Sequence, residues 1–157
     1  AVPEKQSDMS LLQLHRSYFF AFHTIPTRCM DNDIYCHVNN VNYYSYFDTA
    51  VNRYLIEAGA LDIHQGEVIG FVVETSCNYF RPLAFPDTVI AGIRVAKIGR
   101  SSVRYEVGLF RNLEDQVSAA GHFIHVYVER ASQKPTELPL PLRTAVTALI
   151  PSEPKLP

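Results

Sequence analysis

The residues best equipped for chemistry crowd into the stretch Arg28–Gly59. Asp31, Asp33, His37, Asn39, Asn40 and Asn42 come in quick succession, followed by Tyr43, Phe47, Ala50, Val51, Tyr54 and Ala58. The second set recurs every three or four residues, which puts an apolar stripe on one side of an amphipathic helix. Asn39 or Asn40 suits the N-cap, because its side-chain oxygen can accept from a free N–H of the first turn. Gly59 suits the position just past the helix, where a left-handed backbone is usual. A polar loop thus runs into the positive end of a helix, with free N–H groups beside carboxylates. A carboxylate can attack a carbonyl or take a proton from water, and fixed N–H groups can hold the oxyanion that develops. Such an arrangement is a place where an oxyanion can be stabilised.

Each of these residues also has a plainer use. A loop aspartate often forms an Asx-turn or a cap, and Asp31 is placed to hold the loop or to pair with Arg28. His37 orients the loop, touches a ligand, or is simply solvated. Asn39 and Asn40 cap the helix, a role compatible with function because a capped helix fixes its N–H groups. Tyr43, Tyr44 and Tyr46 line a ligand pocket or belong to the core. Arg100, Ser101 and Ser102 form a turn that is either a solvated hairpin or a phosphate contact. His122 and His125 are three apart in a strand-like run, so they point to opposite faces and share no metal. Cys29, Cys36 and Cys77 fit no common zinc spacing, and no metal site is expected.

The elements that must position this stretch are mostly strands. Tyr18–Ile25 is aromatic and β-branched, and Pro26 makes it end, bulge or lie at an edge. Ser10–Arg16 reads as a short helix after a loose terminus. Beyond the long helix, Val68–Phe80 alternates Ile69, Phe71, Val73, Cys77 and Tyr79 on one face. Thr88–Ile98 alternates Val89, Ala91, Ile93 and Val95. Ser102–Arg111 alternates Val103, Tyr105, Val107 and Leu109, and Val117–Glu129 is apolar on both faces, as a central strand would be. The connections Arg81–Asp87, Gly99–Ser101 and Asn112–Asp115 are short, which predicts antiparallel neighbours throughout. The tail from Ala131 carries six of the ten prolines and should lie along the surface, with a turn or two of helix over Arg143–Leu149. One striped helix and one sheet with an apolar face are most economically joined by wrapping the sheet around the helix, an α+β arrangement. An uncovered edge would then invite self-association.

Length and composition are consistent with this. At 157 residues a single domain spanning 1–157 is expected, with its core over about 18–130 and a proline-rich tail over 131–157. The net charge of −2 argues against nucleic acid as the main partner. No apolar run approaches the roughly 20 residues of a membrane span. The first residues hold no apolar signal-peptide region, and the odd cysteine count without C-x-x-C is no disulfide framework, so a reducing cytoplasm is expected.

The pattern Asp31-Asn32-Asp33, His37-Val38-Asn39-Asn40, Asn42-Tyr43 and a helix ending at Gly59, with Arg81-Pro82 and Gly99-Arg100-Ser101-Ser102 further on, resembles the hotdog-fold acyl-CoA thioesterases of the 4-hydroxybenzoyl-CoA thioesterase type, in a His-Val-Asn-Asn branch. The resemblance covers about residues 18–130. It implies a curved antiparallel sheet wrapped around one long central helix, and a homodimer or dimer of dimers with the site at the interface. It also implies hydrolysis of an acyl-CoA thioester with no separate cofactor, coenzyme A being part of the substrate. It places the catalytic carboxylate at Asp33, nucleophile or general base, and the oxyanion donor at the N–H near Asn40. His37, Asn39 and Tyr43 fall among the substrate contacts, with Arg100, Ser101 and Ser102 near the coenzyme A phosphates. Cys36 stands where many relatives have glycine, so a positive φ there would strain it. Two other readings stay open: an enoyl-CoA hydratase-type enzyme on the same fold using Asp33 and His37, and a non-catalytic acyl-CoA or acyl-carrier binding module, which Cys36 favours.

Overall fold

The computed structural model describes residues 14–151. The expected terminus over 1–7 lies outside them, as does most of the short helix expected over Ser10–Arg16; within them, Arg16–Tyr18 forms a 3-10 turn. Five strands make one antiparallel sheet: β1 (Ala21–Pro26), β2 (Val68–Tyr79), β3 (Thr88–Ile98), β4 (Ser102–Arg111) and β5 (Ala119–Glu129), in the order β1-β3-β4-β5-β2. The long helix α1 (Asn40–Glu57) lies on one face and a short helix α2 (Leu140–Thr147) follows the last strand. This is the hotdog arrangement, a sheet wrapped around one helix.

The helix forms where the stripe and caps place it. Asn39 is the N-cap, its side chain accepting from Val41 N–H at 3.0 Å, and Gly59 takes φ +70° just past the end. The buried set is Tyr43, Tyr46, Phe47, Ala50, Val51 and Leu55. Tyr46 and Leu55 therefore join the stripe, while Tyr54 is half-buried and Ala58 exposed. Full burial of a side chain such as Phe47 or Leu55 contributes about 1.5–3 kcal/mol, so packing holds this tyrosine-rich helix more than propensity does. Against it lie Val89, Ala91, Ile93 and Val95 of β3 and Val103, Tyr105, Val107 and Leu109 of β4, all buried as their alternation predicts. β5 is an interior strand, and Pro26 ends β1 at the sheet edge.

Three expectations are corrected. The inward face of β2 is not one alternating set. Val72 pairs with His125 but Glu74 with Ile124, so Val73 is an extra, bulged residue and the strand changes faces there. Val68 and Cys77 pack on the core, whereas Ile69 and Phe71 belong to the other face. Second, the connection Arg81–Asp87 does not join neighbours, because β2 and β3 are separated in the sheet by β5 and β4. Three strand spacings are only about 14 Å, which seven residues span easily. The loop crosses the end of the sheet with Leu83 buried, and a cis peptide bond precedes Pro86. Third, the described part of the tail, 131–151, is not a surface strap. Leu138, Leu142, Ala145, Val146 and Leu149 are buried and belong to the main core cluster. Leu149 O accepts from Val95 N–H at 3.0 Å and Ala145 O from the Tyr54 hydroxyl at 2.7 Å. The sheet leaves the far end of the core open, and α2 closes it.

Candidate functional site at the helix start

Asp33 opens a tight hairpin that delivers the chain to α1. Asp33 N–H donates to His37 O at 2.9 Å, Cys36 N–H donates to Asp33 O at 3.1 Å, and Asn32 and Val38 form a bridge behind them. A type I turn followed by a left-handed residue makes this pattern, and the left-handed residue is Cys36, at φ 64°. The backbone thus keeps the shape that glycine would give, at a cost of about 1–2 kcal/mol for a side chain in that region. The Asp33 carboxylate accepts from Tyr35 N–H at 2.8 Å, an Asx-turn, through one oxygen. Among the described residues its other oxygen has no partner.

Asp31 is the pin of the loop. It is 1% exposed, and one carboxylate oxygen accepts from Arg28 Nη2 at 2.9 Å and Nε at 3.1 Å. The other accepts from Arg28 N–H and from the Tyr46 hydroxyl, both at 2.9 Å. Burial pushes its acidity weaker, but the hydrogen bonds and charge of Arg28, together with Tyr46, outweigh that and hold the carboxyl below its ordinary value. Its carbonyl accepts from Asn39 N–H at 2.9 Å and from the Asn42 amide at 3.0 Å. One buried residue thereby ties the hairpin to the first turn of α1.

That first turn presents a free donor. Asn39 satisfies Val41 N–H with its side chain and Asn42 N–H with its carbonyl. Among the described residues Asn40 N–H has no acceptor. Beside it opens a cleft of about 260 Å³ lined by His37, Val38, Asn40, Tyr43, Tyr79, Phe80, Arg81 and Pro82. Val38 N–H donates to Leu83 O at 2.7 Å, so the crossing loop forms one wall. His37, Asn40 and Tyr43 are thus brought together, Asn39 caps beside them, and Asp33 sits in the hairpin just before. Arg100, Ser101 and Ser102 are not brought to this cleft within one chain. They lie at the far end of β3, whose 11 residues put roughly 35 Å of strand between the two places. His122 and His125 face opposite ways, as expected; His125 is buried in the core and burial lowers its pKa to about 4.

Sequence reasoning missed a second cleft, of about 350 Å³, further along α1 and lined by Tyr44, Ser45, Asp48, Val72, Thr75 and Phe123. Tyr79 packs on Tyr43 with ring centres 4.8 Å apart, and its hydroxyl reaches Asn40 O at 3.4 Å, so the first cleft borders α1 along β2 toward the second. Burial by the walls raises the Asp48 carboxyl, partly offset by the Asn52 amide at 3.1 Å. The signal was an acidic residue one turn beyond Tyr44, indistinguishable in sequence from a solvated one. Of the three tyrosines weighed for a pocket, Tyr43 and Tyr44 line clefts, whereas Tyr46 is committed to Asp31.

The chain resembles known proteins at three levels. Residues 27–146 match the family model described as the thioesterase-like superfamily. A solved structure of the PA5185 protein from Pseudomonas aeruginosa strain PAO1 is 55% identical, covering 88% of this chain and 97% of its own, with a TM-score of 0.86. A thioesterase from Thermus thermophilus, solved with coenzyme A and zinc, is 30% identical over 83% of this chain and 95% of its own, with a TM-score of 0.69. A DHNA-CoA thioesterase from Staphylococcus aureus, 21% identical over 75% of this chain and 80% of its own, shares the fold with a TM-score of 0.69. No curated protein matches the chain. A hotdog sheet, a capped helix start opening on a cleft, and a family match over most of the sequence agree: the chain belongs to the thioesterase-like superfamily.

Proposed function

We propose that this protein hydrolyses acyl-CoA thioesters. The observation that carries the reading is the Asn40 N–H, unpaired at the positive end of α1 and bordering the 260 Å³ cleft, with Asp33 held in the hairpin immediately before it. In this reading the thioester carbonyl oxygen accepts from Asn40 N–H, and the helix dipole stabilises the charge that grows there. The unpartnered oxygen of Asp33 attacks the carbonyl carbon, or takes a proton from an attacking water. After attack by Asp33, coenzyme A leaves as a thiolate and water hydrolyses the mixed anhydride, freeing the acid and Asp33; after attack by water, the adduct expels coenzyme A, whose sulfur takes the proton Asp33 had accepted; no separate cofactor takes part. The acyl group extends along α1 toward Asp48 and Thr75. Similarity to a thioesterase solved with coenzyme A supports a ligand of this type. The left-handed Cys36 weakens the binding-module alternative, because the turn keeps its shape despite the side chain.

We further propose that the working form is a homodimer, or a dimer of dimers, joined along β2. This edge strand is twelve residues long, carries no lysine or proline, and exposes Phe71, Val72, Val73 and Tyr79. Antiparallel pairing of two such edges sets the Val68 end of one copy against the Tyr79 end of the other. Ser101 O accepts from Tyr127 N–H, and Tyr127 pairs with Gly70, so the Arg100–Ser102 hairpin lies at the Val68 end. It would then approach the second copy's cleft, where Arg100 could meet a phosphate.

The test is thiol release from short, medium, long and aromatic acyl-CoAs, comparing wild type with Asp33→Asn, alongside sedimentation of the wild type. Turnover of at least one class with a loss of roughly a hundredfold or more in the variant is expected. Absence of turnover by a folded, assembled protein across the panel would end this reading.

A further inference from the structure

On the face of the sheet away from α1, a second group of side chains is organised for chemistry. The extra residue at Val73 decides it: after the bulge, Glu74, Ser76 and Asn78 pair with Ile124, His122 and Ala120, so they share the outward face with His122. Ser76 Oγ lies 2.8 Å from His122 Nδ1, and Glu74 Oε1 lies 2.8 Å from His122 Nε2. A carboxylate only accepts, so the ring proton sits on Nε2. Whenever the ring is neutral, Nδ1 is bare and can accept from the serine hydroxyl. A carboxylate orienting an imidazole that acts as base on a hydroxyl is the logic of an activated serine, recognised by roles and distances rather than by fold or chain order.

Space and a charge complement adjoin the hydroxyl. Ser76 and His122 line a cavity of about 190 Å³ with Asn78, Arg104, Glu106 and Gly121. Glu106 is committed to the Tyr18 hydroxyl at 2.6 Å, which leaves Arg104 and the Asn78 amide to face an oxyanion. The volume is below the roughly 300–1,000 Å³ of sites for drug-sized ligands, so it suits a short acyl group with its alcohol portion in solvent. We propose that Ser76, His122 and Glu74 form a second, serine-based hydrolytic site for short-chain carboxylic esters, on the opposite face of the sheet from the Asn40 cleft and independent of it. Ser76 Oγ bonds to the ester carbonyl carbon as His122 Nδ1 takes the hydroxyl proton. The C–O bond to the alcohol breaks, and the alcohol leaves with that proton. Water then attacks the acyl-serine, gives its proton to His122, and releases the carboxylic acid as Ser76 recovers its hydrogen.

The experiment uses the full chain carrying Asp33→Asn, so that any Asp33-dependent hydrolysis is silenced. The protein is treated with a fluorophosphonate and mapped by peptide mass, and p-nitrophenyl acetate hydrolysis is followed in parallel. The expected result is an adduct on Ser76 and ester hydrolysis that falls about a hundredfold or more on adding Ser76→Ala or His122→Gln. Adding Glu74→Gln should keep some activity while shifting the pH profile, because the ring loses its orienting charge. In the otherwise wild-type chain, Ser76→Ala leaves acyl-CoA hydrolysis unchanged and lowers the melting temperature by no more than the roughly 2–4 °C of one lost hydrogen bond. No adduct on Ser76 in the folded protein, or ester hydrolysis that survives Ser76→Ala at full rate, overturns the proposal.

Discussion

Replacing Asp31 with asparagine isolates the pin between hairpin and helix, and the structure sets the size of the effect. The part-buried Arg28 N–H and the buried Tyr46 hydroxyl point at one carboxylate oxygen at 2.9 Å. A hydrogen bond to a charged group contributes about 1 kcal/mol more than its neutral counterpart, so removing the charge costs about 2 kcal/mol at these two bonds. The Arg28 guanidinium is mostly exposed, with its side chain at 63%, so solvent screening limits its share to a few tenths of a kcal/mol. An amide also turns one donor toward donors, which brings the expected loss in Asp31→Asn to about 2–3 kcal/mol. For a chain of this length that corresponds to a fall in melting temperature of about 4–12 °C. Tyr46→Phe removes one bond and should lose about 1–2 kcal/mol. The assay is urea unfolding of wild type and variants at a series of pH values. Asp31 has its folded pKa below the ordinary value, so its stabilisation is present above the unfolded pKa and is lost as pH falls through the folded one. The gap between wild type and Asp31→Asn should therefore be constant from neutral pH down to about 5 and close only below about 4. A gap under about 0.5 kcal/mol at neutral pH, or one that stays unchanged at low pH, would refute the assignment.

Other outcomes follow from the same geometry. Cys36→Gly relieves the left-handed side chain but frees the unfolded chain, for a net gain of about 0.5–1 kcal/mol in urea unfolding. His125 is held neutral by burial with its pKa near 4, so the folded state resists the proton that the unfolded state takes up from about 6.5 downward; stability should fall by about 3 kcal/mol across that window, and His125→Leu should flatten it in unfolding curves. Gly121→Ala places a carbon 1.9 Å from the Ser76 carbonyl oxygen, and two backbones cannot both yield, so about 3 kcal/mol of stability should be lost by the same measure. Iodoacetamide should label Cys29 and Cys36, which are exposed, and spare Cys77, whose thiol burial pushes to about 11; mass mapping of the native protein reads this directly.

Where local periodicity and capping rule, the sequence was informative. The Asn39 cap, the Gly59 stop, the inward faces of β3 and β4, and the pairing of Asp31 with Arg28 are all consequences of neighbours a few residues apart. What escaped depends on distant parts of the chain. Nothing near Val73 marks it as the extra residue; its bulge is defined only against β5. The crossing of Arg81–Asp87 could not be told from a hairpin, because the sheet's order, not the loop's length, separates β2 from β3. Leu138 and Leu142 sit among prolines that read as surface, yet they fill an opening that exists only once the sheet has curved. In the candidate site, the hairpin and helix start were visible as a motif, while the Asp48 cleft needed β2 laid beside α1.

The strand order has a consequence for how the chain is made. β3, β4 and β5 follow one another through connections of three and seven residues, so their ladders close short loops. Ala21 must reach Ile93, and Val68 must reach Glu129. Closure entropy rises with the logarithm of the loop, and long-range pairing is correspondingly slow. The order of assembly therefore runs against the order of synthesis. The first half of the chain, with its striped helix and both edge strands, leaves the ribosome before the meander that can receive it. The hairpin, the helix start and the long edge of β2 should be the last parts to become native. Pulse-labelled hydrogen exchange during refolding should find the amides of β3 through β5 protected before those of β2; the reverse order would show that the helix, not the meander, templates the sheet.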